Sequence, residues 1–283
     1  MKKEKKQKLM GLVMVLPSFL IIAVIIAFPI VQSILISFQA GNTGGFTFVN
    51  YYNLFTNKNY FNNIIYTLDI VVKTVILAIV LSYLLALYIT FSKSWFATVL
   101  EKLYMIPRFI PGIVAVYAFM GVIRDTGAIN RFLLIFGINF KPNLLYTPGG
   151  IITMNLWFNI PFATMIIGAA LAGIQPAILE SARDVGAGRL EIFRKMIFPL
   201  SYKSALVAAT FVFMGNVGEF TTPFLLGANS PRMLGVALYQ QFGVFYDLPQ
   251  AAAMAVFMFI VSAFAGAVYI YTSMKDEKWN IQD

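Results

Sequence analysis

Residues 9–38 read LMGLVMVLPSFLIIAVIIAFPIVQSILISF, a stretch without a single Asp, Glu, Lys or Arg. Crossing the hydrocarbon core of a bilayer takes about 20 apolar residues as a helix, because each backbone N–H and C=O must be satisfied inside the segment. The stretch meets that requirement with residues to spare. Working outward, further charge-free runs occupy Thr74 to Ser92, Phe109 to Ile123, Pro142 to Leu179, Ser204 to Gly218 and Leu248 to Met274. Extended to plausible helix ends they predict six spans near 10–38, 68–91, 103–123, 149–173, 203–227 and 249–273. The fold class expected is an all-α integral membrane protein, and an even number of spans puts both termini on one side.

Composition agrees. Of 283 residues, 59% are apolar and 12% charged, whereas a soluble domain carries about a quarter charged residues. The 21 Lys and Arg against 12 Asp and Glu give +9, but the basic residues lie between apolar runs, which points to membrane topology and not to nucleic acid. With a cytoplasmic N-terminus, the inner segments hold Lys2, Lys3, Lys5, Lys6, Lys8, Lys93, Lys102, Arg183, Arg189, Arg194, Lys195, Lys203, Lys275 and Lys278, and the outer ones only Lys58, Arg124, Arg131, Lys141 and Arg232. Positively charged loops stay inside, so both termini are expected in the cytoplasm. The basic tract 1–8 then anchors an uncleaved first span, which is too long for a secretory signal and lacks a small-residue cleavage site.

Cysteine and histidine are both absent, which removes thiol nucleophiles, disulfides, imidazole bases and nearly all zinc sites. No catalytic or metal-ligating set is predicted. Lys73 follows Asp69 by one helical turn, so the two are expected to pair. Arg108, near the inner end of the third span, is expected to snorkel to the headgroups. Pro111, Pro161 and Pro223 are expected to kink the third, fourth and fifth spans.

Charge concentrates between spans four and five: Glu180, Arg183, Asp184, Arg189, Glu191, Arg194 and Lys195. Pro176 suits a first helical turn and Gly186 a left-handed terminus, so Pro176 to Val185 reads as a short helix. Ile178, Ala182 and Val185 recur at helical spacing and are its expected apolar face. A second helix would start at Arg189 and break before Pro199. Such a pair could simply join two spans along the membrane surface.

Glu180-Ser181-Ala182, then Gly186 after three residues, then nine residues leading to Met196-Ile197-Phe198-Pro199, resembles the EAA loop of the membrane subunits of bacterial ABC importers. That motif is usually written E-A-A, three residues, G, nine residues, I-x-L-P. Ser181, Met196 and Phe198 depart from it by size-compatible changes. Phe48-Val49-Asn50-Tyr51 with Leu54-Phe55, Phe61 and Thr67-Leu68 looks like the entry to the second span of these permeases. Gly218-Glu219-Phe220-Thr221-Thr222-Pro223-Phe224-Leu225-Leu226-Gly227, with Asp247-Leu248-Pro249 and Ala251-Ala252-Ala253, looks more like the polyamine, iron(III) and aminoethylphosphonate branch than the sugar branch.

The resemblance implies a type I ABC importer permease fold: a six-span region over 9–273 with a cytoplasmic coupling loop at 174–202 and a short cytoplasmic C-terminus at 274–283. It makes Glu180, Ser181, Ala182, Arg183, Asp184 and Gly186 the set that couples to an ATPase subunit, with Glu180 making polar contacts, Ala182 packing closely and Gly186 turning between two helices. It implies two copies of that ATPase, a second permease that is a related but different chain, and an extracytoplasmic solute-binding protein. No G-x-x-x-x-G-K-[ST] loop occurs in the chain, so ATP and Mg are expected on the partner ATPases and no cofactor on this chain. The solute expected is a small polyamine-type cation; a sugar, iron(III) or an organophosphonate are the alternatives.

A translocation path is lined by polar groups that lipid would not tolerate. The candidates are Asn155, Trp157 and Asn159 in span four, with Asn216, Glu219, Thr221 and Thr222 at the outer part of span five. Glu219 at the outer mouth would attract a cation, or else bond a neighbouring loop with its charge in water. Asn155 and Asn159 share a helix face and would equally serve helix packing. The rival classes are a secondary transporter or channel, which would show inverted repeats or ionisable relays, a membrane enzyme, which would show a His or paired-acid constellation, and a plain anchor, which would not explain the loop.

Overall fold

The computed structural model describes residues 2–41 and 44–277. Met1 and residues 278–283, with Lys278 and the end of the expected C-terminal segment, lie outside the described residues. In chain order the helices are α1 Lys2–Ile22, α2 Phe28–Ser37, α3 Val49–Thr56, α4 Lys58–Phe91, α5 Trp95–Leu103, α6 Gly112–Ile123, α7 Ala128–Leu134, α8 Pro148–Ala172, α9 Pro176–Asp184, α10 Arg189–Ile192, α11 Phe198–Val217, α12 Thr221–Leu226, α13 Leu234–Gly243 and α14 Leu248–Glu277. Among the described residues no strand forms beyond a single bridge between Gln39 and Phe46. Six stretches are long and apolar enough to cross a membrane: Val13–Ser37, Lys58–Phe91, Gly112–Leu134, Pro148–Ala172, Arg189–Val217 and Leu248–Tyr271.

The prolines explain where these differ from the sequence expectation. A proline inside a helix removes one hydrogen bond and crowds the carbonyl four residues back. Two of them, Pro29 and Pro199, are accommodated by π-helical turns just upstream, Ala23–Ala27 and Phe193–Ile197, whose wider ring gives that carbonyl room. The helix from Arg189 therefore does not break before Pro199 but runs on as one body to Val217. The span expected at 203–227 accordingly starts earlier and ends at Val217, and Thr221–Leu226 is a separate short helix.

Nor do Pro111 and Pro223 kink helix interiors. Pro111 is the residue before α6 and Pro223 sits in the first turn of α12, where a missing N–H costs nothing. Of the three, Pro161 alone lies in a helix interior, that of α8. Pro107 and Pro111 also stop the third span from starting at 103; a short 3₁₀ turn, Ile106–Phe109, precedes α6. The second span begins at Lys58, well before 68, with the Asn57 side chain accepting from the N–H of Asn59 at 2.9 Å.

The chain packs as two compact units. In one, Met1–Phe61 with Leu238–Phe259, a polar knot joins three helices. Asn50 Nδ2 donates to the carbonyls of Ser37 and Gln39, both at 2.9 Å, and Gln250 Nε2 donates to the carbonyl of Asn50 at 3.2 Å. Tyr51 and Ser37 share a hydroxyl bond of 2.7 Å, and Leu54 is wholly buried. The Asn50-Tyr51…Leu54 motif is thus an internal lock.

The other unit, Asn62–Ala237 with Ile260–Asp283, is built on α8 lying against α11. Ala163, Ile167 and Leu171 of α8 meet Ala208 and Val212 of α11, with Ala78, Tyr83 and Ala86 of α4 in the same core. Tyr83 and Ser201 hydrogen-bond inside it. On α4, Asn63 and Thr67 stand one turn apart and accept from the N–H groups of Arg232 and Leu234, each at 2.8 Å, which seats the start of α13. Gly235 is required there, because a Cβ would stand 2.5 Å from the carbonyl oxygen of Glu219.

The short helix α9 closes with a Schellman motif. Gly186 adopts φ +85°, its N–H donates to the Arg183 carbonyl at 2.8 Å and the Ala187 N–H reaches back to Ala182 at 3.0 Å. An alanine at 186 must enter the left-handed region at a cost of about 1 kcal/mol. Gly186→Ala is therefore expected to speed amide exchange across Pro176–Asp184 roughly fivefold by hydrogen–deuterium exchange mass spectrometry, while α8 keeps its protection.

Candidate translocation cavity and coupling surface

Six of the seven residues expected along the path come together. Asn155 and Asn159 of α8, Asn216 of α11, Glu219 in the following turn, and Thr221 and Thr222 of α12 line one cavity of about 450 Å³. Pro107, Arg108, Ile110, Gly112, Phe158 and Gly215 complete it. Trp157 does not join them; it is half exposed on another side of α8, as its helical position between Asn155 and Asn159 requires.

The amides are held by the helices that carry them. Asn216 Nδ2 donates to the Val212 carbonyl at 2.6 Å, one turn back, and Asn159 Nδ2 does the same to the Asn155 carbonyl at 2.7 Å. Asn159 also approaches Asn216 Oδ1 at 3.4 Å, which links α8 to α11 across the cavity wall. Both amides therefore serve helix association as well as lining the cavity.

Glu219 lines the cavity and also bonds the segment that follows it. Its Oε1 accepts the Thr222 backbone N–H at 2.7 Å, capping α12, so the carboxylate is fixed. Its Oε2 is shielded from bulk water and has no hydrogen-bond partner. The Asn155 side-chain amide is turned toward the same carboxylate, yet its Nδ2 completes no hydrogen bond of good geometry. The Thr222 side chain is likewise turned toward the carboxylate, so two neutral donors stand near a buried acceptor that is costly to leave bare.

Arg108, expected at the headgroups, faces the cavity. It lies in the 3₁₀ turn before α6 and lines the cavity, and its guanidinium carbon stands 5.3 Å from the ring centroid of Phe162 on α8, a cation–π distance. Sequence reasoning missed it because the partner ring is far along the chain. The Lys73–Asp69 pair forms at 2.7 Å on the exposed face of α4, where such pairs contribute little. Among the described residues no cluster of His, Cys, Asp and Glu could hold a metal ion.

On α9 the buried face consists of Leu179 and Ala182, which sink into the core shared by α8 and α11. This corrects the expected apolar face: Ile178 is 38% exposed and Val185 84%. Val185 is the residue at which the helix ends, so it follows the turn and not the helical stripe. Glu180, Ser181, Arg183, Asp184 and Gly186 are all exposed, whereas Ala182 is used inside this chain. Val185 and Leu190, the latter 70% exposed, stand among these charges. Large apolar side chains presented among charged ones on a protruding turn are the makings of a contact surface.

Membrane-spanning helices around a polar cavity, with a short amphipathic helix projecting between two spans, define a solute permease. The chain aligns with one permease chain of a bacterial ABC transporter that imports the acidic polysaccharide alginate at TM-score 0.82, 19% identity, covering 97% of this chain and 98% of that one. It also aligns with a chain of the MetNI methionine ABC transporter at TM-score 0.56, 20% identity, covering 74% and 92%. Residues 78–273 match the model of the family described as binding-protein-dependent transport system inner membrane component. The chain belongs to that family, and it is a multi-pass ABC importer permease subunit. Curated relatives include the spermidine/putrescine transport system permease protein PotB of Escherichia coli K12, 25% identical over 225 residues, 79% of this chain and 82% of that protein. The inner membrane ABC transporter permease protein YdcU of the same organism is 26% identical over 239 residues, 80% and 76%.

If the cavity is a water-filled passage, a cysteine on its wall will react with a polar thiol reagent and one in the core will not. The chain has no cysteine of its own, and Gly215 has open space where a Cβ would go. Gly215→Cys is expected to be labelled by a charged methanethiosulfonate reagent in membranes, while Ala163→Cys, at a wholly buried position, stays unmodified on the same timescale.

Proposed function

We propose that this permease passes a small polyamine-type cation, handed over by an extracytoplasmic binding protein, through a route that includes the Glu219 cavity. The observation that carries the reading is the Glu219 carboxylate, its Oε2 without a hydrogen bond of good geometry, in a cavity whose other polar groups are three Asn amides, two Thr hydroxyls and the Arg108 guanidinium. An ammonium group supplies the donors that oxygen lacks, and a charge-assisted hydrogen bond is about twice as strong as a neutral one. The likeness to the spermidine/putrescine permeases supports the same class of solute.

In this reading the permease pairs with a second, related chain, and two copies of an ATPase bind ATP and Mg on its behalf. The exposed face of α9, Glu180, Ser181, Arg183 and Asp184, with the Gly186 turn and Val185, seats in the ATPase. Because Leu179 and Ala182 root α9 in the α8–α11 core, a push on the exposed face reaches the cavity wall through packed side chains. ATP-driven closure of the two ATPases then tips the spans between outward- and inward-facing states, by as much as ATP binding favours one of them. Both termini lie in the cytoplasm, as the distribution of Lys and Arg requires.

Glu219→Gln is expected to raise the KM for spermidine uptake about tenfold or more, measured with radiolabelled spermidine in cells whose other polyamine importers are deleted. An unchanged KM removes the polyamine assignment. Glu180→Arg combined with Gly186→Leu is expected to abolish co-purification of an ATPase with the tagged permease and ATP-dependent uptake together; full retention of both would remove the coupling role.

A further inference from the structure

A second cavity, of about 530 Å³, lies further along α8. From α8 the first cavity takes Asn155, Phe158 and Asn159, and the second takes Thr164, Met165, Gly168, Ala169 and Ala172. Thr164 stands about two and a half turns on from Asn155 at 3.6 residues per turn, so the two cavities draw on different sides of the helix. Phe162 lies between the two sets, and it is the ring that Arg108 covers. Asn159 and Gly168 are nine residues apart, about 14 Å along the axis at 1.5 Å per residue.

The chemistry of the first cavity repeats in the second. Glu101 of α5 supplies a carboxylate and Tyr104, just after α5, a phenol. The two are close enough that the Glu101 charge, after burial, pushes the Tyr104 phenol above its ordinary range. Thr164 is 3% exposed, and its hydroxyl has no hydrogen-bond partner. That is unusual, because a helical threonine normally bonds the carbonyl four residues back; Thr153 and Thr210 in the same chain do so at 2.8 and 2.9 Å. A wall of Ala86, Ile89, Gly168, Ala169 and Ala172 surrounds these three groups.

We infer that this cavity is a second binding site for an alkylammonium group, in which Glu101 and the Thr164 hydroxyl accept from the ammonium, the Tyr104 ring lies against it, and the alkyl wall takes the adjoining methylenes. An ammonium has three donors and no acceptor, which matches a site of acceptors and an aromatic face. The site lies toward the α9 end of α8. The inference rests on the polyamine reading and adds to it a second residence on the route.

Equilibrium binding of radiolabelled spermidine to the transporter purified with its partner subunits, joined to uptake kinetics in cells, tests it. The wild type is expected to bind two spermidine equivalents per copy of this chain. Glu101→Gln and the isosteric Thr164→Val should each weaken one of them roughly tenfold or more and lower the maximal uptake rate with KM unchanged, while Glu219→Gln weakens the other and raises KM. A single equivalent that depends on Glu219 alone, with Glu101→Gln and Thr164→Val indistinguishable from wild type, overturns the second site and leaves the polyamine reading standing. Loss of the second permease from the purified complex in Glu101→Gln also overturns it, because the cavity then holds a partner side chain. Absence of any spermidine binding or uptake in the wild type overturns both.

Discussion

In hydrocarbon a backbone amide has no water to fall back on, so each helix that crosses must satisfy its own ladder and each interruption must be repaired locally. Several of the interruptions in this chain are repaired at close range. The prolines at 29 and 199 follow π turns, those at 107 and 111 sit in a 3₁₀ turn and just before a helix, and the ends of α5, α8 and α12 are capped by Ser94, Thr147 and Glu219. The repair of α12 is the one that creates a site. A carboxylate recruited to cap a short helix leaves its second oxygen in a cavity, and that oxygen is the sharpest chemical feature of the molecule.

Buried polar groups in the permease fall into two kinds. Asn50, Gln250, Ser37, Tyr83 and Ser201 spend their hydrogen bonds on holding helices together. Glu219 Oε2, Asn155 Nδ2 and Thr164 Oγ1 do not, and all three belong to residues that line cavities along α8. The hydroxyls of Tyr66 and Thr74 on α4 are likewise without partners, and nothing in the structure explains them. Groups of the first kind give rigidity and those of the second give chemistry.

The same division runs through the family-like motifs. Asn50, Leu54 and Thr67 act within the fold, as a lock, a core residue and a seat for α13. In the Glu180–Gly186 motif Ala182 faces inward and its neighbours outward, so α9 is packed against the α8–α11 core while its charged residues stay exposed.

The sequence by itself determined the membrane class, the helical architecture, the existence of α9 and its glycine terminus, and the polar residues that gather around Glu219. These follow from local chemistry: hydropathy over a helix length, proline and glycine conformations, and spacing along one helix. Only the tertiary structure decided that Leu179 and not Val185 roots α9, that Arg108 covers Phe162, and that Thr164 and Glu101 line a second chamber. Each of those depends on residues distant in the chain brought together by the packing of α8 against its neighbours, and no periodicity within a single segment encodes which of its apolar faces another helix will cover.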